Sequence, residues 1–398
     1  MAVTTHNRST ETAIQPSLLY RSEVRQVIYQ VLLISGLLFA GWWVVNNVAD
    51  NLQRQNIASG FGFLDRTSGF DISQSLISYS NVSSYGRAFW VGLLNTLLVA
   101  SVGIVFATLL GFLIGIARLS SNWLIAKLAA VYIEIVRNVP LLLQLLFWYF
   151  AVLKSLPPPR QSVAIPGGGF LNVRGLYVPA PVPDPGFGIV VAAFLVGIAA
   201  SIAVYVWARR RQMRTGRQFP LLWSSLALIL GLPLLVHLVL GAPLHWEYPV
   251  LRGFNFQGGI VMQPEFVALL LGLSLYTASF IAEIVRAGIL GVPKGQKEAA
   301  KALGLSNGQM LRLVVIPQAA RIIIPPLTSQ YLNLTKNSSL AVAIGYPDFV
   351  SVFTGTVLNQ TGQAVEVILM TMGVFLTISL FTSAFMNWFN QRMALIER

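Results

Sequence analysis

The chain contains no cysteine, which rules out disulfides, thiolate metal sites and a cysteine nucleophile. Histidine is nearly as scarce. His6, His237 and His245 are the only three, they stand far apart, and they show no metal-ligand spacing, so no metal centre is expected. Charged residues make up 10% of the 398, against about 25% in soluble domains, too few to cover a water-facing surface. No G-x-x-x-x-G-K-[ST] occurs, so the chain has no P-loop with which to bind ATP. Acids are the rarer charge, 14 against 27 Lys and Arg. The resulting +13 would point to nucleic acid in a soluble protein; in a membrane protein Lys and Arg mark cytoplasmic loops.

What the chain does have is apolar length. Hydrophobic residues reach 55% and the mean hydropathy is +0.68. Runs of roughly 18 or more apolar residues recur, enough to cross about 30 Å of hydrocarbon. The pattern predicts an all-α polytopic membrane protein of about eight transmembrane helices. They fall roughly at 27–48, 90–118, 124–153, 188–207, 220–240, 265–288, 319–345 and 365–389. The polar first 26 residues precede an apolar run with no evident cleavage site, which reads as an uncleaved anchor. With the N-terminus inside, most Lys and Arg are cytoplasmic, including Arg209, Arg210, Arg211, Arg214 and Arg217 between spans four and five. Only Arg54, Arg66, Arg87, Lys154, Arg160, Arg174 and Arg252 fall outside, although the outer loops are longer. Both termini are then cytoplasmic. Gly111 and Gly115 form a G-x-x-x-G in span two that allows close helix packing. The outer loop 155–187 holds eight prolines and reads as an extended, semi-rigid tether with little regular structure, leading to an inserted helix pair.

One polar stretch interrupts the apolar pattern: "GVPKGQKEAAKALGLSNGQMLRLVVIPQA", residues 291–319. Gly295 to Leu303 suits a short helix, Gly304 a C′ glycine, and Ser306 with Gln309 a capping box opening a second helix that ends before Pro317. A DNA-binding helix-turn-helix needs a third helix and a dimer spacing, and both ends here are tied to spans, so no nucleic acid is expected. "GLSNG" matches G-x-S-x-G, but without a strand or a nearby His it is no hydrolase elbow. A docking element for a cytoplasmic partner remains.

Glu298-Ala299-Ala300, Gly304 and Pro317 reproduce the EAA signature of the membrane subunits of bacterial ABC importers, which the chain resembles. "AEIVRAGILGVPKGQKEAAKALG" and "RNVPLLLQLLFWYF" look like the polar amino-acid uptake permeases, and the enlarged form is similar to general L-amino-acid permease subunits. The resemblance implies a five-helix type I importer core plus extra N-terminal and inserted helices. It divides the chain into a cytoplasmic tail 1–26, an extra transmembrane helix 27–48, a periplasmic loop 49–89, a first core part 90–153, an insertion 154–263, a second core part 264–390 with the coupling segment 291–317, and a tail 391–398. It implies a multi-pass protein of the bacterial inner membrane, embedded in lipid. It further implies an ABC ATPase dimer that binds ATP and Mg in place of this chain, a second permease subunit (a heterodimer favoured over a homodimer) and a periplasmic amino-acid-binding protein. The EAA helix would seat in a cleft of the ATPase, Ala299, Ala300 and Gly304 allowing close approach and Glu298 making a polar contact.

Ionisable groups inside the membrane stand out without any family knowledge, since each costs about 2.5–3.5 kcal/mol on insertion scales. "EIVR" occurs twice, as Glu134–Arg137 and Glu283–Arg286, each acid beside its base at i,i+3. Glu134, Arg137 and Asn138 are expected deeper in the membrane, just before the helix break at Pro140. A zwitterionic amino acid in transit needs a cation for its carboxylate and acceptors for its ammonium. Arg137 or Lys336 and Glu134 answer those needs, with Asn95, Thr96, Gln144 and Ser338 as neutral partners; the competing role is hydrogen bonding between helices. An ion-coupled secondary transporter is the alternative function, but it leaves the docking insert unexplained. A membrane-embedded enzyme lacks a catalytic constellation.

Overall fold

The structure is a computed structural model that describes residues 22–54 and 59–393; His6 and most of both expected tails lie outside them. Helix α1, Ser22–Arg54, stands apart, with nothing in its apolar window buried. A 3-10 turn at Phe61–Asp65 leads to α2, Tyr85–Ala117, capped by the Ser84 side chain. Next come α3, Trp123–Asn138, and α4, Leu141–Leu146, which continues as a π-helix to Leu153. These two arms are bent by 105°. Pro140 disfavours helical geometry in the residue before it, and Val139 is extended at φ −96°, ψ 128°.

The proline-rich loop departs from expectation. It is a small β region: β1 (Val163–Ile165), β2 (Gly169–Asn172), β3 (Gly175–Val178) and β4 (Ala180–Pro183). Four further strands follow the inserted helices α5 (Phe187–Thr215), α6 (Leu221–Leu226) and, past a π-turn, α7 (Leu232–Val239). These are β5 (Leu244–Glu247), β6 (Val250–Arg252), β7 (Asn255–Gln257) and β8 (Ile260–Met262). They build an antiparallel sheet β1-β2-β3-β8 and the ribbons β4-β5 and β6-β7. The prolines do not prevent this because they sit in turns or, like Pro181 and Pro183, in a two-stranded ribbon with free edges. Tyr177 and Phe256 lie buried in contact, 5.0 Å between ring centroids. Burial pushes the Tyr177 phenol above its ordinary range, so it remains a donor to Asn255 at 2.9 Å.

The chain returns through α8 (Pro264–Leu290), α9 (Lys294–Ala302), α10 (Asn307–Met310), a π-turn at Leu311–Val315 and α11 (Ile316–Asn337). A 3-10 stretch to Ile344, a π-helix at Ser351–Val357, α12 (Leu358–Thr361) and α13 (Ala364–Met393) complete it. Among the described residues seven helices are long and apolar enough to cross a membrane, or up to eight if the bent pair is one span. The expected helical polytopic class therefore holds.

The centre of the bundle is α2 against α8, and the G-x-x-x-G finds its partner there. A Cβ on Gly111 would stand 2.6 Å from Ile281 Cβ, and one on Gly115 2.7 Å from Ala282 O. In lipid no hydrophobic force drives helices together, so such close backbone approach supplies the dispersion that does. Around this seam lies an apolar core of Leu145, Leu269, Leu273, Ile281, Val285 and Leu334, each at most 1% exposed.

Candidate functional site

The polar insert folds as two helical arms around a tight turn. Arm α9 ends at Leu303, and Gly304 takes the left-handed conformation at φ 74°. Gly304 N–H donates to Lys301 O at 2.9 Å and Leu305 N–H to Ala300 O at 3.2 Å, the paired bonds of a Schellman motif. The capping box is present: Ser306 Oγ accepts from Gln309 N–H at 3.4 Å, and Gln309 Oε1 from Ser306 N–H at 3.0 Å. The turn therefore satisfies its own backbone and stays rigid without a partner. Glu298, Ala299 and Gly304 are exposed, and Leu303 at the tip is 80% exposed. Ala300 faces inward at 3%, so its small side chain serves packing within the segment.

The second arm does not end before Pro317, as its sequence suggested. It runs from Asn307 through the π-turn into α11 and on to Ile344 as one 38-residue helical rod. The π-turn shifts the hydrogen-bond partner, Ile316 N–H reaching Leu311 O, and α11 resumes with exposed Pro317 in its first turn, where a missing N–H is tolerated. Val315 and Ala319 anchor the rod in the core, and Gln318 Nε2 reaches Gln296 Oε1 at 3.4 Å across the two arms. The exposed turn is thus continuous with a candidate membrane span.

The polar residues within the bundle divide into two groups. Asn95, Thr96 and Ser338 are fully buried. Asn95 Nδ2 donates to Gln74 O at 2.8 Å and Pro347 O at 2.9 Å, Thr96 Oγ1 accepts from Phe349 N–H at 2.9 Å, and Ser338 Oγ donates to Thr335 O at 2.7 Å. Gln144 Nε2 donates to Val136 O and Val139 O, both at 2.9 Å, covering carbonyls freed by the break at Pro140. Asn95 and Thr96 thus tie α2 to the segment after α11, whereas Gln144 and Ser338 bond locally.

Glu134, Arg137 and Lys336 are exposed instead. The pairing expected within the first "EIVR" does not form. Arg137 reaches across to α8 and stacks over the Phe280 ring, 4.9 Å from its centroid, an attraction of cation to ring face. The second does form: Arg286 Nε lies 3.0 Å from both Glu283 oxygens. Glu134 and Arg137 nonetheless face one space. With Asn138 and Phe280 they line a cavity of about 440 Å³ shared with Glu283 and with Arg118, which caps the end of α2. There α3 packs against α8 and α2. Lys336 lies elsewhere, in a groove between α11 and α13 with Ser339, Thr371 and Ser379.

The family described as binding-protein-dependent transport system inner membrane component matches residues 107–395. The chain belongs to that family. The permease is 58% identical to the general L-amino acid transport system permease protein AapQ of Rhizobium johnstonii, over 96% of this chain and 95% of that one. It is 54% identical to the putative amino-acid ABC transporter permease protein YhdX of Escherichia coli, over 99% and 100%. With BztB of Rhodobacter capsulatus, a glutamate/glutamine/aspartate/asparagine transport system permease protein, it shares 42% over 95% of each chain. A solved amino acid ABC transporter crystallised with histidines aligns over 77% of this chain and 95% of its own, at 21% identity and a TM-score of 0.46.

Two features of the permease were missed from sequence. Arg118 closes the expected second span and drew no reading, and only the packing of α3 on α8 puts it in the Glu134 cavity. Asp348 is fully buried, its Oδ1 accepting from Ser351 N–H at 2.8 Å. The signal was there, an acid in "GYPDF" between two apolar runs.

Proposed function

We propose that this permease is the membrane-spanning subunit of an ATP-driven importer for polar L-amino acids, and that its 294–315 turn seats on a separate ATPase dimer. The observation that carries the reading is a rigid, partner-free turn, apolar at its tip, built on the end of a rod that enters the membrane. Apolar Leu303 is 80% exposed there, beside Glu298 and Ala299, a surface suited to a protein groove. ATP and Mg would be bound by that ATPase. The amino-acid substrate is supported by the names of the full-length relatives.

In this reading a second permease subunit, different from this chain, completes the path, and a periplasmic binding protein delivers the substrate to the outer face. The Lys and Arg bias supports an orientation in a bacterial inner membrane with both termini in the cytoplasm. ATP-driven closure of the ATPase pushes the turn, the rod carries the motion into the bundle, and the path alternates between outward and inward opening. Arg137 and Glu134, unspent on each other and facing one cavity, would receive the substrate carboxylate and ammonium near the inner end.

The test is a pull-down from native membranes, repeated with Glu298→Arg, followed by uptake in vesicles holding all the subunits. A co-purifying P-loop ATPase that the substitution releases, with uptake requiring internal-face ATP, supports the proposal. Uptake driven by an ion gradient without any ATPase would replace it with an ion-coupled transporter.

A further inference from the structure

The inserted hairpin has arms of unequal length. α5 has 29 residues, about 43 Å of helix, whereas the returning arm Leu221–Val239 has 19, about 28 Å. Their outer ends are level, because β4 and β5 pair immediately beyond them, Pro183 opposite Leu244. The excess therefore lies at the other end. Near that end Trp207 meets Phe219, which leads into the returning arm, edge to face at 5.4 Å. Past Ala208, which is buried, every residue to Thr215 is exposed, about 10 Å of helix, until Gly216 reverses the chain at φ 68°.

That projection carries Arg209, Arg210, Arg211 and Arg214, with Arg217 just after it. None of the five has a carboxylate partner among the described residues. Arg211 lies over the Trp207 ring at 5.3 Å. Two rows at i,i+4 spacing, Tyr205–Arg209–Met213 and Val206–Arg210–Arg214, line a single groove of about 450 Å³. Depth assigns its surroundings. Measured from Phe187, Trp207 lies about 30 Å along the helix, the thickness of the hydrocarbon layer. The aromatic residues thus fall at the boundary and the arginines in the headgroup layer.

We propose that the projecting end of α5 binds the phosphate of an anionic phospholipid such as phosphatidylglycerol. The guanidinium forks of Arg209, Arg210 and Arg214 match phosphate oxygens bidentately, while Tyr205 and Val206 lie along the upper acyl chains. Positive charge needed only to orient the chain in the membrane would require neither a groove nor a helix extended beyond its partner, and lysine would serve equally. The inserted hairpin then has a role of its own, holding a specific lipid at the rim of the bundle.

The experiment places the full chain in vesicles of phosphatidylcholine containing some phosphatidylglycerol, and measures motionally restricted spin-labelled lipid of each kind. Wild type is expected to prefer phosphatidylglycerol, and the preference to fall by about fivefold for each arginine removed in the series Arg209→Gln, Arg210→Gln, Arg214→Gln. The corresponding lysine triple keeps the orienting charge, inserts normally and lies between wild type and the glutamine triple, which separates lost lipid binding from misinsertion. Inorganic phosphate at matched ionic strength should not abolish the preference; if it does, the site belongs to a soluble anion. No preference in wild type overturns the proposal. So does an unchanged preference in the glutamine triple, including the case in which that triple loses a cytoplasmic protein partner.

Discussion

Gly115→Ala probes the α2–α8 seam most directly. The new methyl would stand 2.7 Å from Ala282 O and 2.8 Å from Val285 Cβ. One of these is backbone, which cannot rotate aside. Restoring an ordinary contact of 3.4 Å requires the helices to part by about 0.7 Å, and a gap of 0.5–1 Å forfeits roughly a quarter to a half of each dispersion contact. Overpacking of this kind costs about 1–3 kcal/mol, against a helix-propensity gain of about 1 kcal/mol for replacing Gly by Ala. The net expectation is a loss of about 0–2 kcal/mol. Gly373→Ala in α13, where a Cβ meets nothing within 4 Å, keeps the gain without the clash. Unfolding of the purified chain by SDS in mixed micelles should therefore rank Gly373→Ala above wild type and Gly115→Ala below it. A Gly115→Ala variant as stable as Gly373→Ala would refute close approach as the basis of the seam.

Gly304→Trp adds left-handed strain of about 1–2 kcal/mol and bulk at the exposed turn; it should abolish ATPase co-purification while membrane insertion, read by protease protection, stays intact. Lys336→Ala should lower uptake more than assembly, since the side chain is exposed in its groove and has no ion-pair partner among the described residues; wild-type uptake would remove it from the path. Gln144→Leu leaves the Val136 and Val139 carbonyls uncovered and should cost about 1–3 kcal/mol, visible as a lower midpoint in the same SDS titration. Arg137→Lys gives up the guanidinium contact with the Phe280 ring and should weaken uptake of a zwitterionic substrate while leaving ATPase binding unchanged.

Much of this architecture was legible in one dimension because its causes are local. Apolar run length places the spans, since the bilayer thickness is constant. Cap chemistry at Gly304 and Ser306 acts within six residues, so the turn between α9 and α10 could be read directly. Side-chain partners were another matter. Glu134 and Arg137 have the spacing of a pair, yet Arg137 lies over Phe280, far along the chain, and only the packing of α3 on α8 brings the two together. The outer prolines could not announce a β region, because its fourth strand, β8, follows the inserted helices α5 to α7. Asn95, Thr96 and Gln144 looked equally free to line a path until folding committed them to backbone carbonyls and amides. Lengths and caps answer to the covalent neighbourhood and the thickness of the membrane, whereas the fate of a polar side chain depends on which distant backbone group arrives beside it.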